Sequence, residues 1–136
     1  MLVRRLRGRG ITATRTESSM AAPCDLVIGD QRCAVSAAKA RWRLKNVRHG
    51  EKVYQYKYLE AGWNLLRKAY VAKIKPPHFW LLVEVTNRLV YVVPSYALRA
   101  SRFIRVPLHR ENTRSIVARY KDRYGLLDRD DGQIGA

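Results

Sequence analysis

Short apolar runs, punctuated by glycine, proline and charged residues, mark this chain, and their periods assign most of its elements. Asp25-Leu26-Val27-Ile28 and Cys33-Ala34-Val35-Ser36-Ala37-Ala38 flank Gly29-Asp30-Gln31-Arg32, which predicts a hairpin with a short loop. Val53-Tyr54-Gln55-Tyr56-Lys57-Tyr58-Leu59 alternates aromatic with polar residues, the mark of a half-exposed strand. His78 to Val85 and Leu89 to Pro94 surround Thr86-Asn87-Arg88. Their unbroken apolar character predicts a hairpin covered on both faces, at the middle of a sheet. The strands expected from these runs are Asp25–Ile28, Cys33–Ala37, Phe79–Val85 and Leu89–Val93. Ile11–Thr16 and Ser101–Leu108 have strand composition.

Helical signals lie at the two ends. Leu2, Val3 and Leu6 stand among arginines in a short amphipathic segment closed by Gly8 and Gly10. Asn112 caps an expected helix over Thr113 to Tyr124, with Ile116, Val117, Tyr120 and Tyr124 on one face. Ser95 to Leu98 reads as a helical turn. Arg41 to Lys52 reads as a basic connection. Leu59 to Ala72 is open: Leu59, Trp63, Leu66 and Tyr70 recur at helical spacing, Gly62 interrupts them, and the strand reading runs through Leu59. The expected class is α/β: a single domain over residues 1–127, with a mixed central sheet flanked by an N-terminal and a C-terminal helix. Residues 128–136 form a polar, glycine-rich tail.

Charge sharpens this picture. The 136 residues carry 27 Lys and Arg against 11 Asp and Glu, a formal charge of +16 and a pI near 10.5. So large an excess on one small domain repels itself unless a polyanion or partner offsets it. The cations fall into three groups: Arg4, Arg5, Arg7 and Arg9; Arg41, Arg43, Lys45 and Arg48; and Lys57, Arg67, Lys68, Lys73 and Lys75. Trp42, Tyr54, Tyr56, Trp63 and Tyr70 are interleaved with them as base-stacking or core residues. No apolar run reaches the roughly 18 residues of a membrane span. Arg4-Arg5 is not followed by a hydrophobic signal core, so the expected location is cytoplasmic. The acid-poor, Arg- and Ser-rich composition of residues 1–22 makes organellar import the alternative. Cys24 and Cys33 have no zinc spacing and read as buried thiols.

The candidate chemistry centres on Asp25, an acid opening one strand of a hairpin. Magnesium sites are built from a few such oxygen ligands completed by water. The arrangement resembles the PD-(D/E)XK nuclease core, the restriction-endonuclease-like or Holliday junction resolvase-like fold. There Asp opens one strand and Glu/Gln-x-Lys lies on the next. Helix, strand, strand and strand follow in the family's order, and His78-Phe79 stands where the family commonly has Asp-Phe. In the matching register Ala34 takes the carboxylate position and Ser36 the lysine position, and the first helix lacks the glutamate the family often carries.

The resemblance therefore implies a nuclease scaffold whose metal centre is degenerate, with Asp25 the surviving ligand. Mg2+ or Mn2+ is the cofactor if cleavage persists. Lys39 is the candidate for a migrated lysine, although strand parity points it away from Ala34 and Ser36. Glu84 reads as a relocated acid or as a glutamate paired with an arginine, and His78 as a structural or phosphate-contacting residue. The expected function is phosphate-directed binding of nucleic acid, duplex DNA first, with little sequence preference. Its contacts are Arg41, Arg43, Lys45, Arg48, Lys57, Lys73 and Lys75. The alternatives are a metal-dependent endonuclease using Asp25 and Lys39, and a basic subunit for an acidic protein or structured RNA. A second copy of the chain is a further candidate partner; a membrane is not.

Overall fold

The computed structural model of the chain describes residues 2–16, 25–65, 76–98, 103–108 and 117–127. Helix α1 (Leu2–Gly8) is followed by strands β1 (Thr14–Arg15), β2 (Leu26–Ile28), β3 (Gln31–Ala38), β4 (Arg41–His49) and β5 (Lys52–Asn64). Strands β6 (Phe79–Glu84) and β7 (Leu89–Pro94), a single helical turn α2 (Ser95–Leu98) and strand β8 (Phe103–Pro107) follow among the described residues. Two 3-10 turns, Ala118–Tyr120 and Tyr124–Leu126, lie beyond them.

Two tight turns set the registers. Ile28 pairs with Gln31, leaving Gly29-Asp30 as the loop between β2 and β3. His49 pairs with Lys52, leaving Gly50-Glu51 between β4 and β5. Both glycines sit at positive φ, 58° and 64°, which a two-residue hairpin loop demands of its first residue. Strands β1-β2-β3-β6-β7 form one sheet, in that order, and β4-β5-β8 form another. β3 and β6 run parallel, with Cys33 opposite Phe79, and the other pairs are antiparallel.

Because β6 and β7 are apolar along their length, both faces of the first sheet need cover. One face carries Cys33, Leu81, Val83, Val90 and Val92, and packs against Leu6 of α1, Ile11, Tyr124 and Leu127. The opposite face carries Ala34, Trp80, Leu82, Tyr91 and Val93, and packs against Ala61, Trp63 and Leu65 beside Ile104 and Val106 of β8. Trp63 fastens the two sheets together. It is 1% exposed, its Nε1–H donates to the Val83 carbonyl at 3.1 Å, and its ring meets Tyr91 edge-on at 5.6 Å. Burial, with the nearby charges of Glu84 and Asp122, pushes the Tyr91 phenol up to about 12.

Several expectations are corrected here. Two sheets replace the one central sheet, and the basic connection is strand β4. The N-terminal strand shortens to Thr14–Arg15, and the strand entering the Leu59–Ala72 stretch continues to Asn64; 66–72 lie outside the described residues. The central hairpin is buried on both faces, but β7 closes the sheet order rather than lying inside it. The expected helix over Thr113–Tyr124 is not helical across 117–124, and 113–116 are outside the described residues. Instead a 3-10 turn leads to Lys121, which bridges to Tyr91 on the outer side of β7. Val117 packs in one layer and Tyr124 in the other, so the segment wraps the sheet's edge. One face of an α-helix cannot serve two opposed layers.

Candidate nucleic-acid interface

Glu60–Asn64 of β5 pair with β8 and the Leu59 carbonyl accepts the Leu108 N–H at 2.8 Å, whereas among the described residues Lys52–Tyr58 pair with β4 alone. Among the described residues β4 has no second neighbour in its sheet. The result is a two-stranded ribbon over residues 41–59, about 30 Å long at the usual strand rise. Every residue of β4 except Val47 is exposed, and so is every β5 residue from Lys52 to Lys57. Six of the ribbon's residues are Lys or Arg, and Glu51 at the tip is its one acid.

The register divides these side chains into two faces. Arg41, Arg43, Lys45, Val47 and His49 lie opposite Glu60, Tyr58, Tyr56, Tyr54 and Lys52. Trp42, Leu44, Asn46 and Arg48 lie opposite Leu59, Lys57, Gln55 and Val53 on the other face. Strand alternation makes the second face continuous with the core side of β5, which carries Ala61, Trp63 and Leu65. The tyrosine face is continuous with the outer side, where Gly62, Asn64, Phe103 and Arg105 are exposed. Across the described part of this outer surface Glu60 is the acid. Its nearly buried carboxylate meets Arg43 at 3.7 Å and Arg105 at 4.0 Å. It thereby offsets part of the positive charge at the root of the ribbon and leaves the outer part basic.

The expected contact residues are thus partly assembled. Arg41, Arg43, Lys45, Arg48 and Lys57 share the ribbon; Lys73 and Lys75 lie outside the described residues. Lys52 joins them, unpredicted, through the Gly50-Glu51 turn. Two of the N-terminal arginines are engaged within the fold. Arg5 donates to the Arg88 carbonyl and Arg9 lies over the Tyr124 ring at 4.4 Å, both serving the fold. Of the interleaved aromatics, Trp63 is core, Trp42, Tyr54 and Tyr56 are exposed, and Tyr70 is outside the described residues.

The residues proposed for catalysis sit in a different setting. The Asp25 carboxylate accepts the Val35 N–H at 2.7 Å, and its own N–H donates to the Cys33 carbonyl. It takes a β3 amide that lies just past the end of β2. Ala34 is fully buried against the second sheet, opposite Trp80, and Ser36 is paired opposite Leu82. Lys39 is exposed in the two-residue link after β3, four residues beyond Val35, or about 13 Å along the strand direction.

Glu84 is fully buried and is held by backbone amides rather than by the arginine expected: Ala40 and Thr86 donate to Oε1 at 2.9 and 3.0 Å, and Asn87 donates to Oε2 at 2.6 Å. Burial alone raises its pKa. The bonds from Ala40, from the backbone and side chain of Asn87, and from Thr86 outweigh that and hold the carboxyl below its ordinary value. His78 Nδ1 accepts the Arg32 N–H at 2.8 Å and its own N–H returns to the Arg32 carbonyl, clasping β3 to the start of β6.

This donor set does not suit magnesium or manganese. The one carboxylate at the expected place is engaged with backbone, and its partner position is a core alanine. Among the described residues no group of three or more His, Cys, Asp or Glu is placed to hold a metal ion. Nor is any described helix long and apolar enough to cross a membrane. No family model, curated protein or solved structure matches this chain.

Proposed function

We propose that this chain binds nucleic acid, and that the ribbon of residues 41–59 is the element that does so. The observation carrying this reading is the exposure of that ribbon together with its six cations and single acid. An isolated pair of strands is marginally stable by itself, and concentrating positive charge on it costs further stability through self-repulsion. A polyanion threading along the ribbon offsets that repulsion and releases its own counterions. A second copy of the chain brings an equally basic ribbon and offers no such relief. The body acts as a rigid base, with Trp63 anchoring β5 and Glu84 fixing Ala40 where β4 begins. The function is binding, with the nuclease-like chemistry lost at Ala34 and Ser36.

The test is the salt dependence of affinity. Phosphate contacts are made equally to duplexes and single strands, with slopes of log affinity against log salt of about −0.9 and −0.7 per neutralised phosphate. Replacing Arg41, Lys45 and Lys52 together by alanine, three cations of the tyrosine face, is expected to flatten the slope by about 2 to 3. Affinity at low salt falls with it, alike for all sequences. An unchanged slope would contradict the assignment of the ribbon.

A further inference from the structure

We infer that the outer face of the ribbon and of the sheet it continues into is a stacking platform for unpaired bases, so that the preferred ligand is single-stranded nucleic acid. This rests on the reading of the ribbon as the nucleic-acid interface and names the ligand class for it. Tyr54, Tyr56 and Tyr58 occupy alternate positions of β5 on one face, about 7 Å apart. Tyr54 is 49% and Tyr56 40% exposed, and Phe103 on β8, at the far side of the same surface, is 55% exposed. Between the tyrosines and Phe103 lies Gly62, which leaves the sheet surface bare at that point: a Cβ there meets only the Ile104 carbonyl and the Arg105 side chain, at 3.7 and 3.9 Å.

Cations border the rings throughout. Arg43, Lys45 and Lys52 lie on the tyrosine face, and the Arg105 guanidinium stands over Phe103 at 5.5 Å. His49 and Tyr54 meet in a T-shaped arrangement at 5.9 Å, and Tyr54 keeps about half of its surface exposed.

Cross-strand pairing with Arg43 and Lys45 explains why aromatic residues suit this strand. It does not explain why their rings are left exposed over a surface that also carries Phe103. Exposed π-faces flanked by cations are what base stacking with phosphate neutralisation needs. In a duplex the base faces are occupied by neighbouring pairs, so rings lying on an open sheet find nothing to stack on. The distinction sets the ligand: phosphates serve both polymers, and the rings serve one.

The experiment compares a fluorescent oligothymidylate with a duplex of the same length. The tested proteins are wild type, Tyr54→Thr/Tyr56→Thr, and Tyr54→Phe/Tyr56→Phe. Threonine keeps the strand preference and removes the ring; phenylalanine keeps the ring. Each stacked ring is worth about five- to a hundredfold in affinity. The threonine variant is expected to lose at least about 25-fold on the single strand and little on the duplex, with the salt slope unchanged. The phenylalanine variant is expected to bind like wild type. Equal losses on the two polymers, unchanged single-strand binding by the threonine variant, or loss in the phenylalanine variant each overturn the inference. A flattened salt slope on removing Arg41, Lys45 and Lys52, with no role for the rings, leaves the ribbon as the interface and sinks the stacking platform alone. No effect of those cations sinks the ribbon itself.

Discussion

Replacing Glu84 by glutamine tests how the ribbon's root is held. The carboxylate takes three backbone amides, from Ala40 at 2.9 Å, Thr86 at 3.0 Å and Asn87 at 2.6 Å, from a fully buried position. Glutamine keeps one acceptor oxygen, enough for the two amides that share Oε1, and turns an NH2 donor toward the Asn87 N–H. One charge-assisted hydrogen bond is lost and a buried donor faces a donor, which costs about 2 kcal/mol or somewhat more. The pH dependence follows from the direction of the shift. A carboxyl held below its ordinary value contributes stability that is fully present above the unfolded-state pKa and lost as pH falls through the folded-state value. Protonated Glu84 resembles glutamine, so the gap between the two proteins should be widest near neutrality and narrow in acid. Urea denaturation at neutral and acidic pH measures it, and hydrogen exchange at Ala40, Thr86 and Asn87 should quicken in the variant. A gap of the same size at both pH values would refute the role assigned to the charge.

Trp63→Ala should destabilise the protein by about 3–5 kcal/mol, since it empties a buried indole site between the sheets, whereas Trp63→Phe should lose about 1–2 kcal/mol with the bond to the Val83 carbonyl. Urea midpoints ordered wild type, phenylalanine, alanine support the anchoring role; an alanine variant within 1 kcal/mol, as an order-of-magnitude bound, opposes it. Purified wild type should not nick supercoiled plasmid with magnesium or manganese above the level of Asp25→Ala. Cleavage that vanishes in Asp25→Ala would restore a metal centre and bring Lys39 back as its partner. Asp25→Ala itself should cost about 1–3 kcal/mol of stability through loss of the charge-assisted bond from the Val35 N–H.

The hairpins around Gly29 and Asn87 were legible because apolar strands bounded by turn residues carry a local signal. The ribbon was half legible. Its aromatic strand alternates visibly, but Arg41-Trp42-Arg43-Leu44-Lys45 alternates too, and that period was hidden because neither of its faces is buried. β5 changes role along its length: the residues before Leu59 see solvent, and Ala61, Trp63 and Leu65 see the core. Gly62, read as an interruption, is a sheet position whose face is open. The partners of Glu84 are backbone amides, which no residue type announces, so an arginine was the natural guess. The spacing of Val117, Tyr120 and Tyr124 fits a helix face; only the sheet's edge shows that the chain wraps two layers there. For the candidate site, the expected cations were readable one by one, whereas the gathering of five of them on one ribbon came from the register.

The most direct measurement of the central claim is amide chemical-shift mapping while a short single-stranded oligonucleotide is titrated into the labelled protein. The ribbon account predicts the largest perturbations at residues 41–59, extending to Gly62 and Phe103 and reversed by added salt. Perturbations centred on α1, around Arg4 and Arg7, with the ribbon amides unmoved, would contradict it.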